Sequence, residues 1–252
     1  MAQQQTDWIL IRGLTRESGH WGRFPKILEA AYPSANIIRV DLPGAGKHHK
    51  VKCPLNMPEI ARFVRQDYLS QRKNPDSAPY LISISLGAMI ALEWMRLYPG
   101  EVQGAVLMNS SLRGLSPIFH RLRPFALVRM VHIASQKDIA KRERLALELT
   151  SNRPDVIEST HPEWVKIQQA RPVSTQNALR QLTAAGRFHV HPETPLPELL
   201  VLNSTHDRLA HPACSEAIHK TWPSQLRTHP TAGHDLALDD PEWVANNILK
   251  WK

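Results

Sequence analysis

The chain has 252 residues, enough for one sizeable core, and its 42% hydrophobic and 21% charged residues exclude a disordered or fibrous polymer. No run approaches the roughly 18 apolar residues of a membrane-spanning helix. No zinc finger, RNA-recognition signature or basic–aromatic array accompanies the net charge of +8, so neither a membrane span nor a nucleic-acid partner is expected.

Residues 1–7 carry neither a basic patch nor a long apolar run, so they do not read as a signal peptide. Cys53 and Cys214 lie far apart without metal-ligand spacing and read as free thiols. Both features point to the cytoplasm.

The first strand is expected at Trp8–Arg12. Apolar residues then recur at helical spacing at Trp21, Phe24, Ile27, Leu28 and Ala31. A second strand, Ile37–Val40, ends in the turn-rich stretch Asp41-Leu42-Pro43-Gly44-Ala45-Gly46. Pro58–Leu69 reads as a helix, Tyr80–Ile84 as a short apolar strand, and Leu86–Tyr98 as a helix stopped by Pro99-Gly100. Val102–Met108 is the next strand. Leu199–Asn203 and Leu226–His229 are the last two, with helices at Pro212–Trp222 and Pro241–Trp251. Strands alternating with helices of this length predict an α/β fold, a parallel sheet covered on both faces.

Residues 112–186 break the alternation. They are helical in pattern, punctuated by five prolines, and strands resume after them. A helical insertion covering one end of the sheet follows, with residues 1–111 and 187–252 as core. Residues 112–187 hold 13 Lys/Arg against 6 Asp/Glu, which suits either a solvated helical surface or a negatively charged substrate or lipid.

Three segments carry chemistry. Ser83-Ile84-Ser85-Leu86-Gly87 sits between an apolar strand and a helix. Acyl transfer needs a serine oxygen held exposed beside donors for a developing oxyanion, and a sharp strand-to-helix turn with small neighbours provides that. The Leu86 amide would open the helix, where N–H groups lack partners and favour negative charge. Asp207 follows the strand Leu199–Asn203, and Thr231-Ala232-Gly233-His234 follows the last strand. An imidazole on such a loop can serve as base and a carboxylate can orient it. The chain order Ser, Asp, His, each after a predicted strand, joins the three into one candidate site.

On these residues, together with Arg12-Gly13-Leu14 and Asp41–Gly46, the chain resembles the α/β-hydrolase superfamily, in particular its lid-bearing esterase and acyl-hydrolase branch. The resemblance covers essentially the whole chain. It implies an α/β-hydrolase fold with a lid at residues 112–186, Ser85 as nucleophile, His234 as base then acid, and Asp207 as its orienter. It also implies an oxyanion hole from the Leu14 and Leu86 N–H groups, no cofactor, and a small-molecule acyl substrate. Two departures stand out: Arg12 replaces a frequent histidine and would either alter the first-loop geometry or place a cation near the pocket as a substrate contact, and Ser83 replaces the usual first glycine. The leading strands of larger members are absent, leaving about six parallel strands.

The expected activity is hydrolysis of a carboxylic ester or thioester through an acyl-enzyme. An amide, a carbon–carbon bond or a lysophospholipid as substrate remains open, as does a non-catalytic binding protein on the same fold. Gly44-Ala45-Gly46-Lys47 fails as a phosphate loop, because His48 stands where Ser or Thr is required. His189 with His191, and His206 with His211, read as surface histidines rather than metal ligands. Asp239 and Asp240 read as helix-capping residues. Leu122, Phe125, Val128 and Met130 suit either the lining of an acyl pocket or, the favoured reading, apolar residues gluing an insertion helix to the core.

Overall fold

The structure is a computed structural model describing residues 6–75, 77–189 and 196–252. Residues 1–5 and His191 lie outside these. Six strands form one sheet: β1 (Thr6–Ile11), β2 (Ala35–Val40), β3 (Tyr80–Ile84), β4 (Gly104–Met108), β5 (Glu198–Ser204) and β6 (Ser224–His229). Their spatial order is β2-β1-β3-β4-β5-β6, and every neighbouring pair is parallel. The sheet is therefore the parallel α/β layer that the alternation predicts.

Side-chain alternation builds two cores. Ile9, Ile11, Leu81, Leu107, Leu199 and Val201 point to one face, where α2 (Met57–Leu69), α3 (Leu86–Leu97) and α9 (Ala213–Thr221) cover them. Trp8, Leu10, Ile82, Ile84, Val106, Met108, Leu200 and Leu202 point to the other. There α1 (Phe24–Ala31) and α11 (Pro241–Trp251) close the layer. The strands buried on both faces are near-continuous apolar runs, as parallel sheets require.

Five helices lie between β4 and β5: α4 (Ile118–Arg121), α5 (Pro124–Ser135), α6 (Ile139–Thr150), α7 (Pro154–Ala170) and α8 (Thr175–Arg187). They carry a small core of their own, with Leu147, Ile157, Trp164 and Ile167 packed together. A single helical turn, α10 (Leu236–Asp239), precedes α11. Among the described residues no helix is long and apolar enough to cross a membrane. Both cysteines are free and buried, and burial pushes the Cys53 thiol up to about 11.

The register aligns the strand ends along one edge: Ile11 opposite both Val40 and Ser83, Ile84 opposite Met108, and Ser204 opposite His229. Strand order reverses at β1, with β2 to one side and β3 to the other. In open parallel sheets this carboxyl edge, at the switch point, is where ligands bind. Ser85 leaves β3 there, and Arg12-Gly13-Leu14 leaves β1 beside it.

Candidate active site

Ser85 holds φ 57° and ψ −118°, outside the regions that L-residues ordinarily populate. Such backbone strain persists only when surrounding contacts fix it. Three do so here: Ser85 N–H donates to the Met108 carbonyl (2.9 Å), while the Ser85 carbonyl accepts from the Ser110 hydroxyl (2.9 Å) and the Ala88 N–H (3.1 Å). Ser83, in place of the expected glycine, is fully buried, and its hydroxyl donates to the Val106 carbonyl at 2.8 Å. A buried serine satisfied in this way fills the position without a polar penalty.

Gly87 explains the small residue on the other side. A Cβ there would lie 2.3 Å from the Ile11 carbonyl oxygen and 2.7 Å from that of Arg12. The absent side chain lets α3 begin hard against the end of β1. That brings the loop after β1 alongside the first turn of α3. Leu86 is the first residue of α3, so its N–H has no intrahelical acceptor. The Leu14 N–H likewise meets no acceptor among the described residues.

His234 and Asp207 are brought together directly. Imidazole Nδ1 lies 2.8 Å from Asp207 Oδ2, and both side chains are almost fully buried. Asp207 Oδ1 accepts from the Leu209 N–H (2.7 Å) and the Ala210 N–H (3.0 Å), so the carboxylate orientation is fixed by its own loop. Burial is the largest influence on His234 and pushes its pKa down. The charge and hydrogen bond of Asp207, aided by Asp235, outweigh burial, and despite opposition from Arg12 the imidazole titrates above its ordinary value.

Asn109, which sequence reasoning did not single out, links the two halves. It sits at φ 42°, directly after β4, and its amide donates to the carbonyls of Gly233 (3.2 Å) and His234 (2.8 Å). Its Oδ1 accepts from the Ser204 N–H. Met108, Asn109 and Ser110 thus hold Ser85 on one side and the His234 loop on the other. No hydrogen bond joins the Ser85 hydroxyl to the imidazole among the described contacts. The one signal available in the sequence was an asparagine just past a strand, a residue type that tolerates positive φ.

Two carboxylates, Asp235 and Asp239, lie behind His234. Asp235 forms a bidentate pair with Arg12 (2.6 and 3.1 Å), and both side chains are almost fully buried. Arg12 also stacks on Trp21, 4.8 Å from the ring centroid. The Arg12 guanidinium is thus held inward by the residue that follows His234. Asp240 caps α11 as anticipated, accepting from the Trp243 N–H. Asp239 does not cap a helix. Its carboxylate accepts from the Ser151 hydroxyl, the Asn152 N–H (2.9 Å) and the Gly233 N–H (2.7 Å), which ties the α6–α7 connection to the His234 loop. Burial raises its pKa, with those three donors opposing. Gly233 fits beneath the same connection, where a Cβ would meet the Thr150 carbonyl oxygen at 2.5 Å.

The insertion also grips the loop after β1. Fully buried Gln181 of α8 accepts from the Thr15 N–H (2.9 Å) and donates to the Pro43 carbonyl. Thr15 is a β-branched residue at φ 57°, a conformation that needs such support. Arg16 pairs with Glu143 (2.6 Å), and Arg171 pairs with Glu17. The 41–46 turn is braced similarly, since Asp41 accepts from the N–H groups of Ser18 and Lys47.

A cleft of about 700 Å³, lined by Arg129, Asn152, His206, Arg208 and Thr231 among others, opens on the flank of this assembly. Ser85, Leu14, Leu86 and His234 do not line it. It is a surface groove behind the acid and histidine loops, not the space above the serine. No group of three or more His, Cys, Asp or Glu side chains poised for a metal occurs among the described residues. His211 stacks on His120 at 4.5 Å.

The profile of the alpha/beta hydrolase family matches residues 8–247. The chain belongs to that family. This membership supports hydrolase activity. Among solved structures, the family member is similar to an esterase from a Rhodococcus species, with 18% identity and a TM-score of 0.78 over 98% of this chain and 90% of that one. It is also similar to a lipase-esterase related protein from Clostridium acetobutylicum, with 18% identity and a TM-score of 0.75 over 99% and 96%. A thermophilic esterase from Thermogutta terrifontis gives 22% identity and 0.69 over 98% and 89%. At these identities the likeness speaks to fold. Among curated proteins none matches the chain in sequence.

Proposed function

We propose that the protein is a serine hydrolase that cleaves a carboxylic ester or thioester through an acyl-enzyme. The observation carrying this reading is Ser85, held at φ 57° where β3 meets α3, on the edge that also presents the bonded His234–Asp207 pair. Ser85 Oγ attacks the acyl carbon while its proton passes to His234 Nε2, and the carbonyl electrons move onto oxygen. The Leu14 and Leu86 N–H groups receive that oxyanion. As the intermediate collapses, the C–O or C–S bond breaks and the leaving group takes the proton back from Nε2. A water activated by His234 then repeats the sequence and releases the acid. Throughout, Nδ1–H donates to Asp207, which fixes the tautomer and stabilises the imidazolium.

In this reading the five-helix insertion acts as a cap. Its contacts, Gln181 to Thr15 and Ser151 with Asn152 to Asp239, hold the oxyanion and histidine loops, while Arg12 positions the His234 loop through Asp235. The test is labelling with a fluorophosphonate probe and turnover of p-nitrophenyl acetate by the whole chain. The expected result is that both are lost in Ser85→Ala and retained in Ser83→Ala. A folded wild-type protein that resists the probe and leaves the ester intact removes the proposal and leaves a binding protein on this fold; a Ser85→Ala variant that still reacts removes Ser85 as the nucleophile.

A further inference from the structure

Isolated exposed apolar residues are ordinary on protein surfaces, but a contiguous group of them marks a contact site. Of the ten large hydrophobic side chains exposed among the described residues, six fall in α4 and α5: Ile118, Phe119, Phe125, Leu127, Val128 and Val131. In α5, Phe125, Val128 and Val131 recur every three residues and share one face, while Ala126 on the opposite side is fully buried. Surface helices normally turn their polar face to water. Here the outward face is the apolar one.

The charge carried by the segment itself has one sign. Residues 102–137 contain five Lys/Arg and no Asp or Glu. Arg113 and Lys137 are exposed and form no ion pair among the described residues. Arg123 is turned to the Asp207 carbonyl, and Arg129 reaches Glu148 only at 3.8 Å. A face that combines protruding aromatic and aliphatic side chains with a cationic fringe suits an anionic bilayer. The apolar tips enter the acyl boundary and the cations meet lipid phosphates. A second copy of the chain suits it less well, because a two-fold pairing would set a segment that carries five cations and no carboxylate of its own against itself.

We infer that α4 and α5 form a docking surface for the headgroup layer of an anionic lipid bilayer. The helices lie in the plane of the interface rather than across it. The surface connects to the catalytic edge: Arg123 N–H donates to the Leu209 carbonyl (3.0 Å), and His211 N–H donates to the His120 carbonyl (2.8 Å). Docking would therefore seat the bilayer beside the loop that carries Asp207. The inference stands on surface chemistry and does not require the acyl-transfer reading.

The experiment is vesicle co-sedimentation with the full chain. It compares pure phosphatidylcholine vesicles with mixed phosphatidylcholine–phosphatidylglycerol vesicles, at low and high salt. Binding is expected to the mixed vesicles, weakened by salt. Replacing Arg113 and Lys137 by Gln should weaken it by about fivefold for each cation removed. Replacing Phe125 and Val128 by Ser should weaken it by at least tenfold, on the order of what losing two buried apolar side chains implies. Because these positions are exposed and lie outside the proposed machinery, turnover of soluble p-nitrophenyl acetate should stay at the wild-type level. Ser85→Ala should bind vesicles like wild type, which separates this inference from the hydrolase proposal. Sedimentation with mixed vesicles no greater than without vesicles would overturn it. So would binding indifferent to both pairs of substitutions, or a wild-type dimer that the Phe125/Val128 variant turns into a monomer with vesicle binding unchanged.

Discussion

Replacing Gly87 by Ala tests whether the close approach of α3 to β1 builds the site. The new Cβ would sit 2.3 Å from the Ile11 carbonyl oxygen and 2.7 Å from that of Arg12. Both are backbone atoms, so no rotamer change relieves the contact. Restoring even a 3.0 Å separation requires a shift of about 0.7 Å between strand end and helix start, a strain in the range of about 1–3 kcal/mol for overpacked interiors. For a chain of this size each kcal/mol lowers Tm by roughly 2–4 °C. The same shift parts the Leu86 amide from Leu14, and misplacement by about 1 Å costs on the order of 100-fold in rate.

Gly186, one residue from the end of α8, supplies the control. Nothing lies within 4 Å of a Cβ built there, so Gly186→Ala should gain up to about 1 kcal/mol of helix propensity and leave turnover unchanged. Thermal unfolding and kcat on p-nitrophenyl acetate, measured well below Tm, distinguish the two variants. A Gly87→Ala protein with wild-type Tm and kcat would refute the packing argument. A lowered Tm with unchanged kcat would refute the pairing of the two amides as oxyanion donors.

Arg12→Met leaves the buried Asp235 carboxylate without its partner, and should cost about 3–5 kcal/mol in denaturant unfolding; a change under about 1 kcal/mol would contradict the inward placement of Arg12. Adding Asp235→Leu to that variant should restore most of the loss, since a buried ion pair can often be replaced by apolar packing. The pH profile tests the His234 environment. Its pKa is raised above 6.5 in the folded chain, so the protonated imidazole contributes stability that is fully present below the unfolded value and lost as pH rises through the folded one. Catalysis runs the opposite way, because the base must be neutral, and kcat/KM should rise with pH through the same folded value. In Asp207→Asn burial and Arg12 act without the opposing carboxylate of Asp207. The acid limb should therefore move to lower pH while kcat falls by about 10⁴-fold; an unmoved limb would contradict the assignment.

The sheet was legible because its strands are short apolar runs bounded by turn residues, and β3 appears at the expected residues, Tyr80–Ile84. Edges blurred where polar residues pair in the ladder. Thr6 and Asp7 extend β1 opposite Ala35 and Asn36, and Ser224 and Gln225 extend β6 opposite Leu199 and Leu200. Asp207 and His234 could be read as partners because each follows a strand in the order this chemistry uses. Arg12, Asn109, Gln181 and Asp239 could not be read in that way. Their roles depend on partners 87 to 223 positions away in the chain, a separation that no local pattern encodes. Asp239 and Asp240 show the limit plainly: adjacent residues of one type before a helix, one capping it and the other clasping a distant connection.

That clasp changes what trimming the protein would do. With Asp239 stitched to Ser151 and Asn152, and Gln181 propping Thr15, two loops at the carboxyl edge of the sheet owe their shape to the five helices above. A shortened chain with β4 joined to the parallel β5 by a minimal crossover would leave a strained Thr15 without its acceptor and a buried Asp239 without two of its three donors. The stripped sheet would be a scaffold with its working parts slack, so any redesign of the insertion has to keep these two anchorages before altering what lies between them.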